Sequence, residues 1–87
     1  MILLPWKEMF DGNLFVRKRY DTGEWCGRVE FMLDTRLWYA KIHEDQVDMY
    51  LSVKSKSVQD AMKLVDGQLI EMGYRLLEEG DKLLSLV

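Results

Sequence analysis

The sequence predicts an α+β fold: an antiparallel four-stranded β-meander with one amphipathic helix packed on one face, in the order β-β-β-β-α. Three observations predict this fold. Four short segments of alternating apolar and polar residues occupy the first two thirds of the chain. Short polar connections join these segments, as expected for antiparallel hairpins. A segment with helical spacing follows, and its apolar stripe is suited to cover the apolar side of the sheet.

The helix is predicted from Ser57 to Gly73. Ser57 is a favoured N-cap, and Asp60 three residues later suits both a reciprocal capping pair and the positive end of the helix dipole. Gly73 favours the positive φ that ends a helix. Gly67, in the middle of the helix, costs about 1 kcal/mol relative to Ala, and we interpret it as a tolerated surface glycine rather than a point of close packing. The apolar stripe consists of Val58, Ala61, Met62, Val65, Leu69 and Met72.

The four strands are predicted at residues 13–20, 25–33, 36–43 and 47–53. Because side chains alternate between the two faces of a strand, each segment has one set of residues facing the helix. That set is Leu14, Val16, Trp25, Gly27, Val29, Phe31, Leu33, Trp38, Ala40, Ile42, Val47, Met49, Leu51 and Val53. Trp25, at the shoulder of a hairpin, is assigned to the core, with an exposed interface position as the alternative.

Both ends of the chain allow two interpretations. Residues 1–12 form either a short helical turn starting at Pro5 or an extra edge strand, and the turn Asp11-Gly12-Asn13 closes them. Residues 74–78 are expected to be extended. Residues 81–87 suit an additional strand or a short helix, and the sequence does not decide between them.

Length and composition indicate a single domain spanning residues 1–87. With one Cys no intrachain disulfide forms, which favours a reducing, cytoplasmic location. No apolar run approaches the ~18 residues of a transmembrane helix, so no membrane partner is expected. One Cys and one His are too few for a thiolate–imidazole zinc site, and we expect neither metal nor cofactor.

The face of the sheet away from the helix is the candidate binding surface. Arg, Tyr and Phe are enriched at recognition surfaces, and a sheet holds them in fixed positions. The alternative is a solvated face with cross-strand ion pairs that involve Glu30 and Asp48. The predicted partner-binding residues are Phe15, Arg17, Arg19, Arg28, Tyr39, Lys41, His43 and Tyr50.

We therefore expect a small non-catalytic protein of the adaptor or inhibitor type, which binds another protein or a second copy of itself. Nucleic-acid binding through the same face is the alternative. Protein is favoured because the RNA-recognition run is missing and because residues 44–87 are acidic, with five Lys or Arg against nine Asp or Glu. No catalytic residues are assigned, since Cys26 and His43 lie on different strands without an orienting third group.

One stretch has a loose family resemblance. A strand meander followed by a Ser-capped helix, at residues 56–66 together with the hairpin at 23–29, resembles the small antitoxin domains of the HicB kind. The aromatic and Pro-Gly-Cys features of that family are missing, so the resemblance supports the strand-then-helix layout and does not establish membership.

Overall fold

The computed structural model of the protein describes residues 2–44, 46–51 and 55–77. Its elements are β1 (Ile2–Leu3), β2 (Lys7–Met9), β3 (Leu14–Lys18), β4 (Trp25–Met32), β5 (Leu37–Glu44), β6 (Val47–Tyr50), α1 (Val58–Glu71) and β7 (Arg75–Leu76). Strands β2 to β6 form an antiparallel sheet in sequence order, and β1 pairs with β7 in parallel. The predicted α+β fold is confirmed.

The first residues add a fifth strand to the predicted four. Strand β2 pairs with β3, so the edge-strand alternative is correct and the helical turn is wrong. The predicted turn at Asp11 and Gly12 is confirmed, because both residues have positive φ and Asn13 N donates to Phe10 O at 3.0 Å. The extended segment predicted after the helix is present as β7. The predictions for residues 52–54 and 78–87 lie outside the described residues.

Helix α1 begins and ends as the sequence predicts. The Ser57 hydroxyl accepts a hydrogen bond from the Asp60 backbone N–H, and Gly73 has a φ of 96° just beyond the last turn. The reciprocal half of the capping pair is different, because the Ser57 backbone N–H donates to the Ser55 hydroxyl instead of to Asp60. No helix in the described residues has both the length and the apolar character needed to cross a bilayer.

The core lies between α1 and the middle of the sheet. Helix α1 packs on β4 and β5, and its buried residues are Ala61, Val65 and Leu69. They meet the side of β5 that carries Trp38, Ala40 and Ile42, as predicted. The cluster of buried residues is completed by Leu3, Cys26, Val29 and Tyr74.

The side chains of strand β3 point to the faces opposite to those predicted. Phe15 packs against the core with its ring 5.9 Å from that of Trp38, and Arg17 is 0% exposed. Both therefore face the helix, which places Leu14 and Val16 on the other side of the sheet. The sequence has three apolar residues in succession here, so alternation alone does not identify the inward side.

Strand β4 contains a β-bulge that changes which residues face the core. Arg17 pairs with Gly27, whereas the next residue, Lys18, pairs with Trp25, so β4 has one extra residue at Cys26. Cys26 lies in the core with Tyr74, and Trp25 points to the side away from the helix. The predicted placement of Trp25 in the core and of Cys26 on the open side is therefore wrong.

Arg17 connects four separate parts of the chain. Its Nε lies 2.8 Å from Asp66 Oδ1 of the helix, and its Nη2 lies 3.1 Å from Oδ2. Its Nη1 donates to the carbonyl oxygens of Leu4 at 2.9 Å and Leu77 at 2.7 Å. Trp6 adds a hydrogen bond to Asp66 at 3.3 Å, and its ring lies 5.3 Å from the guanidinium carbon. Four segments that are distant in sequence thus meet at one buried cation.

The helix leaves the sheet edge at β6 uncovered. All four residues of β6 are exposed, including Val47 at 56% and Met49 at 42%. The side chains of Val47 and Met49 point to the helix side, as predicted, since Met49 pairs with Ile42. They remain exposed because α1 lies over β4 and β5 instead.

Substitutions of two glycines by alanine test how closely the helix approaches the sheet. A Cβ at Gly27 would lie 2.6 Å from Val65 Cγ1 and 3.1 Å from Leu69 Cδ1, whereas a Cβ at Gly67 would meet nothing within 4 Å. Val65 is β-branched and buried, so it cannot move aside easily. We expect Gly27→Ala to lower the free energy of unfolding by about 1–3 kcal/mol. The control Gly67→Ala should raise it by about 0.5–1 kcal/mol. Urea denaturation monitored by tryptophan fluorescence measures both, and equal effects would contradict this packing.

Candidate partner-binding surface

The side of the five-stranded sheet opposite to α1, here called the outer face, carries the candidate site. Residues paired across neighbouring antiparallel strands point to the same side, so the strand registers define this face. Its charged and aromatic members are Lys7, Lys18, Trp25, Arg28, Glu30, Tyr39, Lys41, His43, Asp48 and Tyr50. Four Lys or Arg against two Asp or Glu make this face positive, although the whole chain has a net charge of −3.

Two cations stand side by side in the middle of the outer face. Arg28 and Lys41 are direct cross-strand partners on β4 and β5. Like charges at such positions repel each other. The Trp25 ring lies 5.7 Å from the Arg28 guanidinium carbon and 5.7 Å from Lys41 Nζ, so it contributes cation–π attraction to both. The tryptophan therefore offsets part of the repulsion.

A second set of contacts extends this cluster across β5 and β6. Lys41 Nζ lies 3.1 Å from Asp48 Oδ2 and 4.9 Å from the centre of the Tyr50 ring. His43 contacts Asp48 Oδ1 through Nδ1, and its ring lies 5.0 Å from the Trp25 ring. Hydrogen bonds from His43 and then Lys41 hold the pKa of the Asp48 carboxyl below its ordinary value. The hydrogen bond to Asp48 in turn raises the pKa of Lys41, so both groups are ionised at neutral pH.

Arg28 retains unused hydrogen-bonding capacity. Its Nη2 donates to Glu30 Oε1 at 2.9 Å. Its Nε is buried and has no hydrogen-bond partner within the described part of the chain. A guanidinium has five donors in a planar fork that matches a carboxylate or a phosphate. The buried Nε is not accessible to a partner, but the Arg28 side chain is 31% exposed, and its exposed part is able to meet an incoming anionic group.

An apolar hollow lies beside the cations. It has a volume of about 270 Å³ and is lined by Met32, Tyr39, Tyr50 and Leu51. Tyr50 is 62% exposed and belongs to both the hollow and the charged cluster. An apolar side chain in the hollow would thus lie within reach of Lys41.

Five of the eight predicted partner-binding residues lie together on the outer face: Arg28, Tyr39, Lys41, His43 and Tyr50. Phe15 and Arg17 do not, because β3 turns them toward the helix. Arg19 lies at one end of the sheet, where it forms an ion pair with Asp21 at 2.8 Å. The predicted site does not include Trp25. Gly27 is the sequence signal that could have indicated the outward position of Trp25, because a glycine inside a strand often marks a β-bulge.

A separate polar cavity of about 290 Å³ lies at the Arg19 end of the sheet. It is lined by Arg19, Glu24, Trp25, Cys26, His43, Glu44, Gln46 and Tyr74. Cys26 Sγ donates a weak hydrogen bond to the Tyr74 hydroxyl at 3.8 Å. Burial raises the pKa of the Cys26 thiol and raises the pKa of Tyr74 to about 12. Cys26 and His43 therefore share a cavity, in which burial favours the protonated thiol over the thiolate.

Across residues 2–44, 46–51 and 55–77, His, Cys, Asp and Glu side chains form no group of three or more that is arranged to bind a metal ion. Comparison with protein-family models, with curated proteins and with solved structures finds no match for this chain. The geometry of the outer face is therefore the basis for the functional proposal.

The environment of Cys26 makes a testable prediction about its reactivity. Its side chain is 3% exposed and its pKa is raised, so little thiolate is present or accessible at pH 8. We expect labelling of the native protein by Ellman's reagent to be slower than that of the urea-unfolded protein by about tenfold or more. A Leu33→Cys variant is the control, because Leu33 is 82% exposed and a thiol there should label quickly. Rapid labelling of native Cys26 would contradict the buried, protonated thiol and would reopen a catalytic interpretation.

Proposed function

We propose that this chain is a non-catalytic protein-binding protein, of the adaptor or inhibitor type, that binds its partner through the outer face. The observation that carries the proposal is the cluster of Trp25, Arg28, Lys41 and Tyr50, in which adjacent cations contact aromatic rings at the surface. Aromatic and Arg side chains supply a large share of the binding energy at many protein interfaces. Sheet positions hold them in place, so little side-chain entropy is lost on binding.

The chemistry of the face favours a partner surface with carboxylates beside an apolar side chain. Arg28 and Lys41 lie next to each other and would both be stabilised by a carboxylate placed between them. The hollow beside Tyr50 accommodates an apolar group of the same partner. Opposite charges at such a surface increase the association rate and exclude partners that carry a positive surface.

Nucleic-acid binding through the same face is the second candidate. It is favoured by the excess of cations on the outer face and by the exposed Tyr50 ring, which is able to stack on a base. Protein remains the first choice, because the whole chain has a net charge of −3, which opposes the binding of a polyanion more than that of a single carboxylate.

The binding test compares two variants that are matched in charge change. The outer-face variant is Arg28→Glu with Tyr50→Ala, and the control is Lys63→Glu on the exposed side of α1. Each tagged chain is used to capture partners, and a candidate is then purified and titrated by calorimetry. We expect a protein that binds the wild type and the control equally and that binds the outer-face variant at least tenfold more weakly. Unchanged affinity of that variant would contradict the proposal.

A gel shift separates the two candidate functions. Single- and double-stranded DNA and RNA probes are titrated with the wild type and with the outer-face variant at 50 and 200 mM salt. Binding to nucleic acid would weaken steeply with salt and would be lost in the variant. That result would replace the protein-binding proposal, whereas no shift at 50 mM salt would eliminate the nucleic-acid alternative.

A further inference from the structure

Among the described residues, no further strand pairs with β6, which forms one edge of the five-stranded sheet. The opposite edge strand, β2, carries the exposed charges of Lys7 and Glu8, and charges of this kind oppose pairing with another strand. In β6 the only charged residue is Asp48, which Lys41 and His43 already contact. The two edges of the sheet are therefore unequal, and β6 is the one open to a further strand.

The backbone of β6 has hydrogen-bonding groups that point away from the sheet. Leu51 N donates to Ala40 O, so Ala40 and Leu51 form a hydrogen-bonded pair. In an antiparallel ladder such pairs alternate, so Met49 also bonds to β5 while Asp48 and Tyr50 do not. The N–H and C=O groups of Asp48 and Tyr50 consequently point outward, and within the described residues they have no partner.

We propose that a second copy of this chain pairs its own β6 antiparallel with this edge, across a two-fold axis that passes beside Met49. In this register the outward backbone groups of Asp48 bond to those of Tyr50 of the second copy, and the symmetric pair forms as well. On the helix side, Met49 lies opposite Met49 of the second copy. Val47 lies opposite the partly buried Leu51 of the second copy, so the exposed apolar residues Val47 and Met49 of β6 both lie opposite apolar residues.

Charge disfavours the register in which the two-fold axis lies beside Asp48. An axis beside Asp48 would place the two Asp48 carboxylates directly opposite each other, which is unfavourable. An axis beside Met49 instead places Asp48 opposite Tyr50 of the second copy, whose ring lies 4.9 Å from Lys41 Nζ in its own chain. Each carboxylate is then brought toward a cation of the other copy. The match of charge and of apolar residues points to a second copy as the occupant of this edge.

The dimer would join two sheets into one of ten strands and place both outer faces on the same side. This inference goes beyond the proposed function, because pairing uses the backbone of β6 and the helix-side residue Met49, whereas the proposed partner binds side chains of the outer face. Tyr50 belongs to both surfaces. A variant such as Met49→Lys, which is expected to prevent pairing, would remain a monomer. Binding of a partner to the outer face of that monomer could still be measured.

Analytical ultracentrifugation over a concentration series tests the pairing. We expect the wild type to approach twice the chain mass of 10.3 kDa as concentration rises. Met49→Lys places a charge on the axis, and we expect it to raise the dimer dissociation constant at least tenfold. Ile70→Lys is the control, because Ile70 is also an exposed apolar residue, at 58% against 42% for Met49, but lies on α1. This variant should dimerise like the wild type. A wild type that is monomeric at millimolar concentration, or a dimer lost in Ile70→Lys and kept in Met49→Lys, would overturn the proposal.

Disulfide trapping tests the register with three single variants, Asp48→Cys, Met49→Cys and Tyr50→Cys. In the proposed register the two Met49 Cα atoms are about 4.5 Å apart, which is within disulfide range. Met49→Cys should form a covalent dimer under mild oxidation at least tenfold faster than the other two variants. The wild type provides the background, since Cys26 is buried. Faster trapping by Asp48→Cys or Tyr50→Cys, or equal trapping by all three, would contradict the register.

Discussion

The ion pair between the buried Arg17 and the partly buried Asp66 is the constraint on which the arrangement of this small fold depends. A guanidinium removed from water is unfavourable unless its charge is paired and its donors are used. Here Asp66 receives two hydrogen bonds, and the carbonyl oxygens of Leu4 and Leu77 receive two more. These partners belong to the helix, the N-terminal segment and the residue after β7. Arg17 therefore fixes how four parts of the chain meet on the helix side of the sheet.

The inward orientation of Arg17 determines the composition of the outer face. Because side chains alternate along β3, an inward Arg17 places Leu14 and Val16 on the outer side, where both are 5% exposed. The bulge at Cys26 makes a second change, because it turns Trp25 outward while Cys26 and Gly27 both face the helix. These two changes remove Phe15 and Arg17 from the predicted outer face and add Trp25, whose ring contacts Arg28 and Lys41.

The sequence predicts the parts of this fold that depend on regular spacing. Helix α1 and strand β5 were predicted correctly, because their apolar residues follow one period and their neighbours are polar. Strand β3 was assigned the wrong side, since Leu14, Phe15 and Val16 are all apolar and a charged residue such as Arg17 is normally exposed. Its burial depends on Asp66, a residue 49 positions away, and local pattern contains no information about that contact.

The candidate site was predicted in part for the same reason. Arg28, Lys41, His43 and Tyr50 lie in regular stretches of strand, so alternation placed them correctly on the outer face. The prediction places Trp25 in the core because it assumes unbroken alternation along β4. The extra residue Cys26 reverses the alternation for the residues before it, and Trp25 is one of them. The exposure of Val47 and Met49 was also missed, because the sequence does not show how much of the sheet one helix covers.

A double-mutant cycle on Arg17 and Asp66 tests the central claim most directly. The free energies of unfolding of Arg17→Met, Asp66→Ala and the double variant are measured by urea denaturation, with the exposed pair Arg19 and Asp21 as a control cycle. We expect each single variant to lose about 3 kcal/mol and the double variant to lose much less than the sum, with a coupling of about 2 kcal/mol or more. The control cycle should show a coupling below about 1 kcal/mol. Additive losses at Arg17 and Asp66, within about 0.5 kcal/mol, would contradict a fold organised around this ion pair.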